Sequence, residues 1–212
     1  MNKYIVEFIG TFFLVLVIGL TVSAGSDFAP LAIGSTLMVM IFAGGHISGA
    51  HYNPAVTLAV FLRGKCDAKD IGPYMIAQVL GAVLAALSVA FLRDAPLAKD
   101  GPIDLMADLG RVVWAEVLFT FALAYVILNV ATAKGTEGNS FYGLAIGFTV
   151  LAGAYTVGPV SGGVFNPAVA VGICRMGLAQ FPQIWIYLVA QFAAAAVATV
   201  VFAMAGGLDG DS

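Results

Sequence analysis

Two copies of Asn-Pro-Ala-Val, beginning at Asn53 and Asn166, stand 113 positions apart in a very apolar chain. An asparagine amide both donates and accepts hydrogen bonds. Asn is also a favoured helix N-cap, and Pro a favoured first helical residue. Asn53-Pro54-Ala55 and Asn166-Pro167-Ala168 therefore read as two helix starts. Each Asn oxygen would cap its own helix while the amide donates to a neutral, hydrogen-bonding molecule. Two carboxylates accompany them: Glu7 and Glu116 each sit inside an apolar run, where a bare charge is costly. The chemistry on offer is recognition by hydrogen bonds rather than catalysis. No nucleophile–base constellation, phosphate loop or metal-ligand spacing joins these residues. Cys66 and Cys174 lack a C-x-x-C partner or a nearby His cluster and read as packing thiols. No cofactor is expected.

The elements that must position these residues follow from composition. Of 212 residues, 61% are hydrophobic and 10% charged, against about 25% charged in soluble domains. Such a chain cannot cover its surface with polar groups, so its solvent is expected to be a lipid bilayer. The net charge of −3 gives no support to a nucleic-acid partner. A spanning helix needs about 20 mainly apolar residues. Six segments meet or approach this: Tyr4–Val22, Leu31–Gly45, Ile71–Leu92, Arg111–Ala131, Phe141–Val157 and Pro182–Gly206. The first has the layout of a secretory leader, but Glu7 inside it and its place in a repeat favour its retention.

The halves repeat. "LAIGST" at Leu31 and "LAIGFT" at Leu144 share the offset of 113, as do Gln78 and Gln191. Glu7 and Glu116 are offset by 109. One domain over 1–212 is thus expected to contain repeat one at about 1–93 and repeat two at about 110–207. With three spanning helices per repeat, the second enters the membrane from the opposite side. The helices starting at Pro54 and Pro167 extend to about Arg63 and Gly177. At roughly 15 Å each, they reach half of a ~30 Å hydrocarbon core. They would enter from opposite faces and meet at the midplane. The preceding "AGGHISGAHY" and "TVGPVSGGVF" are expected to be extended re-entrant backbone facing a wet cavity. Each helix N-terminus adds about half a positive charge, so the centre opposes cations and passes neutral hydrogen-bonding molecules. The expected fold class is an all-α membrane protein, with six transmembrane helices and two re-entrant half-helices in an inverted 3+3 repeat.

Lys3, Arg63, Lys65, Lys69 and Lys134 fall on one side, and Arg93, Lys99, Arg111 and Arg175 on the other. The positive-inside rule then expects cytoplasmic N- and C-termini. Asp94, Asp100, Asp104 and Asp108 lie in the connection between repeats.

"GHISGAHYNPAVT" and "GPVSGGVFNPA" resemble the two signatures of the aquaporin and aquaglyceroporin family, the major intrinsic proteins. The resemblance covers nearly the whole chain. It implies a homotetramer in a cell membrane, with one pore per protomer for water and small uncharged solutes such as glycerol. It implies that Glu7 and Glu116 brace the re-entrant loops by accepting backbone N–H bonds. His46 is read as bonding loop backbone near the cytoplasmic mouth, with gating as its alternative. Counting the family pattern onto this chain puts the narrowest point at Ile33, Ala154, Gly163 and Val169. Val169 stands where the family carries an arginine, three positions after the second Asn. Arg175, nine residues past Asn166, is read as a surface charge. The constriction is therefore expected to be wide and apolar, with Tyr155 or Phe165 as neighbouring aromatics that could narrow it. Gln78 and Gln191 are expected to join helices, and "AQFAAAAVA" to make a close helix contact. Two other functions fit an inverted repeat: a secondary transporter coupled through Glu7 and Glu116, and a non-conducting junction or assembly protein.

Overall fold

The computed structural model describes residues 1–93 and 101–208. Asp94, Lys99 and Asp100, which enter the charge comparison above, lie outside them. Six helices are long and apolar enough to cross a membrane. They are α1 (Asn2–Ser23), α2 (Ala29–Ser48), α4 (Ala68–Leu92), α5 (Leu109–Ile127), α6 (Tyr142–Ser161) and α8 (Ile184–Met204). Between them lie two short helices, α3 (Pro54–Leu62) and α7 (Pro167–Arg175), of nine residues each. Nine residues rise about 14 Å, so neither crosses a ~30 Å core. Six crossings return the chain to its starting face. The start of α1 and the end of α8 share one face, and α4 ends and α5 begins on the other. α5 continues as a π-helical turn, Leu128–Thr132, whose last carbonyl accepts from Arg63 Nη2 at 3.3 Å.

The re-entrant backbone is shorter than the sequence led us to expect. α2 runs on to Ser48 and α6 to Ser161, with Pro159 inside the helix. Only residues 49–53 and 162–166 are non-helical before α3 and α7. At membrane depth a helix satisfies its own backbone groups and an extended loop does not, so the helix continues until it meets a residue that can end it. Gly49 and Gly162 do so, in the left-handed region at φ 83° and 87°. Their N–H groups return to the Gly45 and Gly158 carbonyls, a C-cap that glycine adopts without steric cost.

Close helix crossings fix the frame. A Cβ placed on Gly34 would lie 2.7 Å from the Gly147 oxygen, and one on Gly147 would lie 2.5 Å from the Gly34 oxygen. α2 and α6 therefore touch backbone to backbone, as small residues permit in membranes. In α8, Ala195 and Ala198 pack with Ala55, Ala59 and Ala124, so the alanine run seats α8 on α3 and α5.

Candidate functional site

The two half-helix starts meet at the centre. Asn53 Oδ1 accepts from the N–H of Ala55 at 2.9 Å and of Val56 at 3.4 Å. Asn166 Oδ1 does the same for Ala168 and Val169, at 2.9 and 3.4 Å. The amide nitrogens are partly committed, which the sequence reading did not foresee. Asn53 Nδ2 donates to the Phe165 carbonyl at 2.9 Å, and Asn166 Nδ2 donates to the Tyr52 carbonyl at 2.8 Å. Each Asn thus ties its half-helix to the opposite loop. An amide has two N–H donors, so one per Asn remains for a visitor.

Each loop hangs on one buried carboxylate. Glu7 accepts from His51 N–H at 2.9 Å, Tyr52 N–H at 2.7 Å, Ser48 Oγ at 2.7 Å and Gln78 Nε2 at 2.8 Å. Glu116 accepts from Val164 N–H at 2.9 Å, Phe165 N–H at 2.8 Å, Ser161 Oγ at 2.7 Å and Gln191 Nε2 at 2.8 Å. Both glutamates are fully buried. Four donors offset the desolvation of each carboxylate, a cost of several kcal/mol for an unpaired ion. The braces hold strained backbone as well: Ala50, Tyr52 and Phe165 have φ of 51°, 50° and 49°, where an L-residue is disfavoured by about 1–2 kcal/mol.

The sequence reading missed the third layer of this brace. Tyr74 donates to the Ser48 carbonyl at 2.7 Å, and Tyr187 to the Ser161 carbonyl at 2.5 Å. The signal was present, because Ser48 with Ser161 and Tyr74 with Tyr187 share the offset of 113. The repeat fails at His51, whose counterpart is Val164. His51 is buried, and its Nδ1 lies 3.2 Å from Thr57 Oγ1.

His46 sits elsewhere than expected. It is exposed in the last turn of α2, and among the described residues it makes no hydrogen bond to the loop. Because α2 continues through His46, its side chain is exposed on the helix and the loop begins three residues later. His51 is the histidine inside the loop. Arg175 is exposed at the end of α7.

A cavity of about 390 Å³ runs from the connector face to the centre. Ile33, Ala154, Gly163 and Val169 all line it, as do Asn53 and Asn166. Asp27, at its mouth, is the one charged residue among its described lining. Tyr155 and Phe165 also border it. Tyr155 is half-exposed near the mouth and donates to the Asp27 carbonyl at 3.4 Å. Phe165 is buried, with its ring 5.4 Å from that of Phe119 and packed against Gly153. A second cavity of about 430 Å³ opens to the face of the termini. The two share Ile41, Ala50, His51, Val56, Ile127 and Ile146, so they meet beside the first loop. Among the described residues no donor meets the carbonyls of Gly162, Gly163 and Val164. These remain available as acceptors in the wall.

Comparison with known proteins agrees with this architecture. Residues 1–202 match the family described as major intrinsic protein. Aquaporin NIP1-1 of Zea mays is 36% identical over 197 residues, covering 89% of this chain and 69% of its own. Glycerol uptake facilitator protein-like 6 of Lactiplantibacillus plantarum is 35% identical over 218 residues, covering 99% and 100%. The X-ray structure of the aquaglyceroporin from Plasmodium falciparum superimposes with a TM-score of 0.78 at 25% identity, covering 95% of this chain and 94% of that one.

Proposed function

The chain belongs to the major intrinsic protein family, and on that premise we propose that its pore admits uncharged solutes wider than water. The protein is a passive channel for water and small neutral solutes in a membrane. Solute moves down its own gradient, losing bulk water and gaining replacement partners at each step. The carbonyls of Gly162, Gly163 and Val164 accept from it on the connector side. The remaining amide hydrogens of Asn53 and Asn166 donate to it at the centre. The N-termini of α3 and α7 each present about half a positive charge there, which opposes cations in a low-dielectric passage.

The observation that carries the width is the apolar ring. Val169 is 3% exposed, at the third position of α7, and shares the cavity wall with Ile33, Ala154 and Gly163. None of the four carries a charge, a ring or a long polar arm. We take these residues as the selectivity filter, Asn53-Pro54-Ala55 and Asn166-Pro167-Ala168 as the pore centre, and Glu7 and Glu116 as loop braces. A coupled transporter would have to use those two glutamates, and the four bonds on each argue against their cycling. The reading extends to a homotetramer in a cell membrane with both termini cytoplasmic, the face that carries Lys3, Arg63, Lys65, Lys69 and Lys134. Within it the chain works as one domain of two inverted repeats.

Swelling of proteoliposomes in water, urea, glycerol and a four-carbon polyol tests the width. Glycerol flux well above that of empty vesicles is expected. Val169→Arg, which restores a fixed charge and fills the ring, should lower glycerol flux more than water flux. A folded Val169→Arg protein with an unchanged glycerol-to-water ratio would move the constriction away from this ring.

A further inference from the structure

The wall on the connector side is one-sided in its hydrogen bonding. Every backbone N–H from Gly162 to Phe165 is used inside the protein. Gly162 donates to the Gly158 carbonyl at 2.9 Å and Gly163 to Ser161 Oγ at 3.2 Å. Val164 and Phe165 donate to Glu116 at 2.9 and 2.8 Å. The carbonyls of Gly162, Gly163 and Val164 meet no donor among the described residues, and all three residues line the cavity. The first turn of α7 adds no donor either. Pro167 lacks an N–H, and those of Ala168 and Val169 are held by Asn166 Oδ1 at 2.9 and 3.4 Å. The side chains of the ring, Ile33, Ala154, Gly163 and Val169, bring no polar atom. An arginine in place of Val169 would have presented a fork of N–H donors. At the mouth, the Tyr155 hydroxyl already donates to the Asp27 carbonyl at 3.4 Å. Among the described lining, the first N–H groups left for a solute entering here are the spare amide hydrogens of Asn53 and Asn166.

We infer that the pore selects by hydrogen-bond polarity as well as by width: it takes neutral solutes whose polar groups are hydroxyls and turns back solutes of equal width that present a carbonyl. The ring and the loop beside it offer acceptors without donors. A hydroxyl crossing the ring gives its hydrogen to one of the wall carbonyls. A ketone or amide oxygen has only lone pairs to offer. It sheds its water at the ring, meets no donor, and lies against wall oxygens of its own sign. An unpaired polar group in a desolvated passage costs more than a made hydrogen bond returns. A site built to bond a hydroxyl rejects the analogue that lacks it far more strongly than it rejects a change of one methylene. The spare Asn amides do not relieve this cost. Val169 stands three residues past Asn166, about 4.5 Å along the α7 axis, beyond a hydrogen-bond reach of about 3.2 Å.

The inference rests on the reading of the cavity as a wide conducting pore, and the test separates the two. Glycerol and monomeric dihydroxyacetone match in chain length and width and differ at the central carbon, CH–OH in one and C=O in the other. Swelling of proteoliposomes, corrected for empty vesicles, gives the flux of each and of water in the parent, Val169→Asn and Val169→Leu. In the parent, glycerol should pass about tenfold faster than dihydroxyacetone, the effect of one unpaired acceptor. Val169→Asn places an amide donor at the ring and should bring the two fluxes close together. Val169→Leu has nearly the same shape and no donor, so it should lower both fluxes and keep their ratio. Equal glycerol and dihydroxyacetone fluxes in the parent would overturn the inference while leaving the width reading in place, and this outcome needs neither variant to fold. A ratio shifted as much by Leu as by Asn would overturn it too, making the ring a matter of volume alone. A parent that passes water but neither three-carbon solute would instead remove the width reading, and the inference with it.

Discussion

At the scale of single residues, the centre depends on side chains that do two things at once. Asn53 and Asn166 each cap a half-helix and tie it to the opposite loop. Losing the cap costs about 1 kcal/mol, and losing the tie about as much again. We expect Asn53→Leu and Asn166→Leu each to lower stability by about 2 kcal/mol and to depress flux, read by melting in detergent and by swelling. Parent-like values in both assays would mean that the two half-helices are held by something else. The glutamates should be less forgiving. Glu116→Leu strands the Val164 and Phe165 N–H groups and the Gln191 amide in the interior, at about 1–3 kcal/mol for each unsatisfied donor. The expected outcome is loss of folded protein on size-exclusion chromatography. A monodisperse Glu116→Leu protein with unaltered melting would refute the bracing role. Both glutamates could be picked out in the sequence, because an acid inside an apolar run has few other uses. The Asn cross-ties could not, since a donor's partner depends on how closely the two loops approach.

Among the elements, α2 and α6 meet through Gly34 and Gly147 with no room for a methyl group. Gly147→Ala should push them apart at an overpacking cost of about 1–3 kcal/mol. Because Ile33 on α2 and Ala154 on α6 border the same cavity, solute selectivity should shift with stability. A Gly147→Ala protein that melts and conducts like the parent would show that these helices can part without strain. The ends of α2 and α6 illustrate where reading by composition went astray. "AGGHIS" and "TVGPVS" are rich in residues that disfavour helices in water, yet both are helical here. Without water to solvate the backbone, internal hydrogen bonds outweigh intrinsic propensity. His46 was consequently assigned to the loop, when it lies on the last turn of a helix.

For the whole molecule, the inverted repeat sets two equivalent half-helices against each other, and the once-only connector breaks the equivalence. A passive channel built this way needs no energy coupling. Glycerol flux in proteoliposomes should therefore be unaffected by an imposed proton or sodium gradient. Gradient-dependent accumulation above equilibrium would bring back the transporter reading, with Glu7 and Glu116 as its carriers.

The membrane setting, the six spanning helices, the two half-helices and their inversion are all legible in the sequence. Each of these follows from local apolar length, from Asn-Pro capping chemistry and from a repeat offset that can be counted along the chain. How the centre is wired, and what borders the connector-face mouth, came only with the packed fold. The cross-ties from Asn53 to the Phe165 carbonyl and from Asn166 to the Tyr52 carbonyl join residues more than a hundred positions apart. At the mouth, the bridge between Ile103 and Ala179 pairs one connector with a segment at the far end of another helix. Such contacts use backbone groups that every residue carries, so no side-chain pattern announces them. They arise only when the packed helices bring two stretches of irregular chain within hydrogen-bond reach.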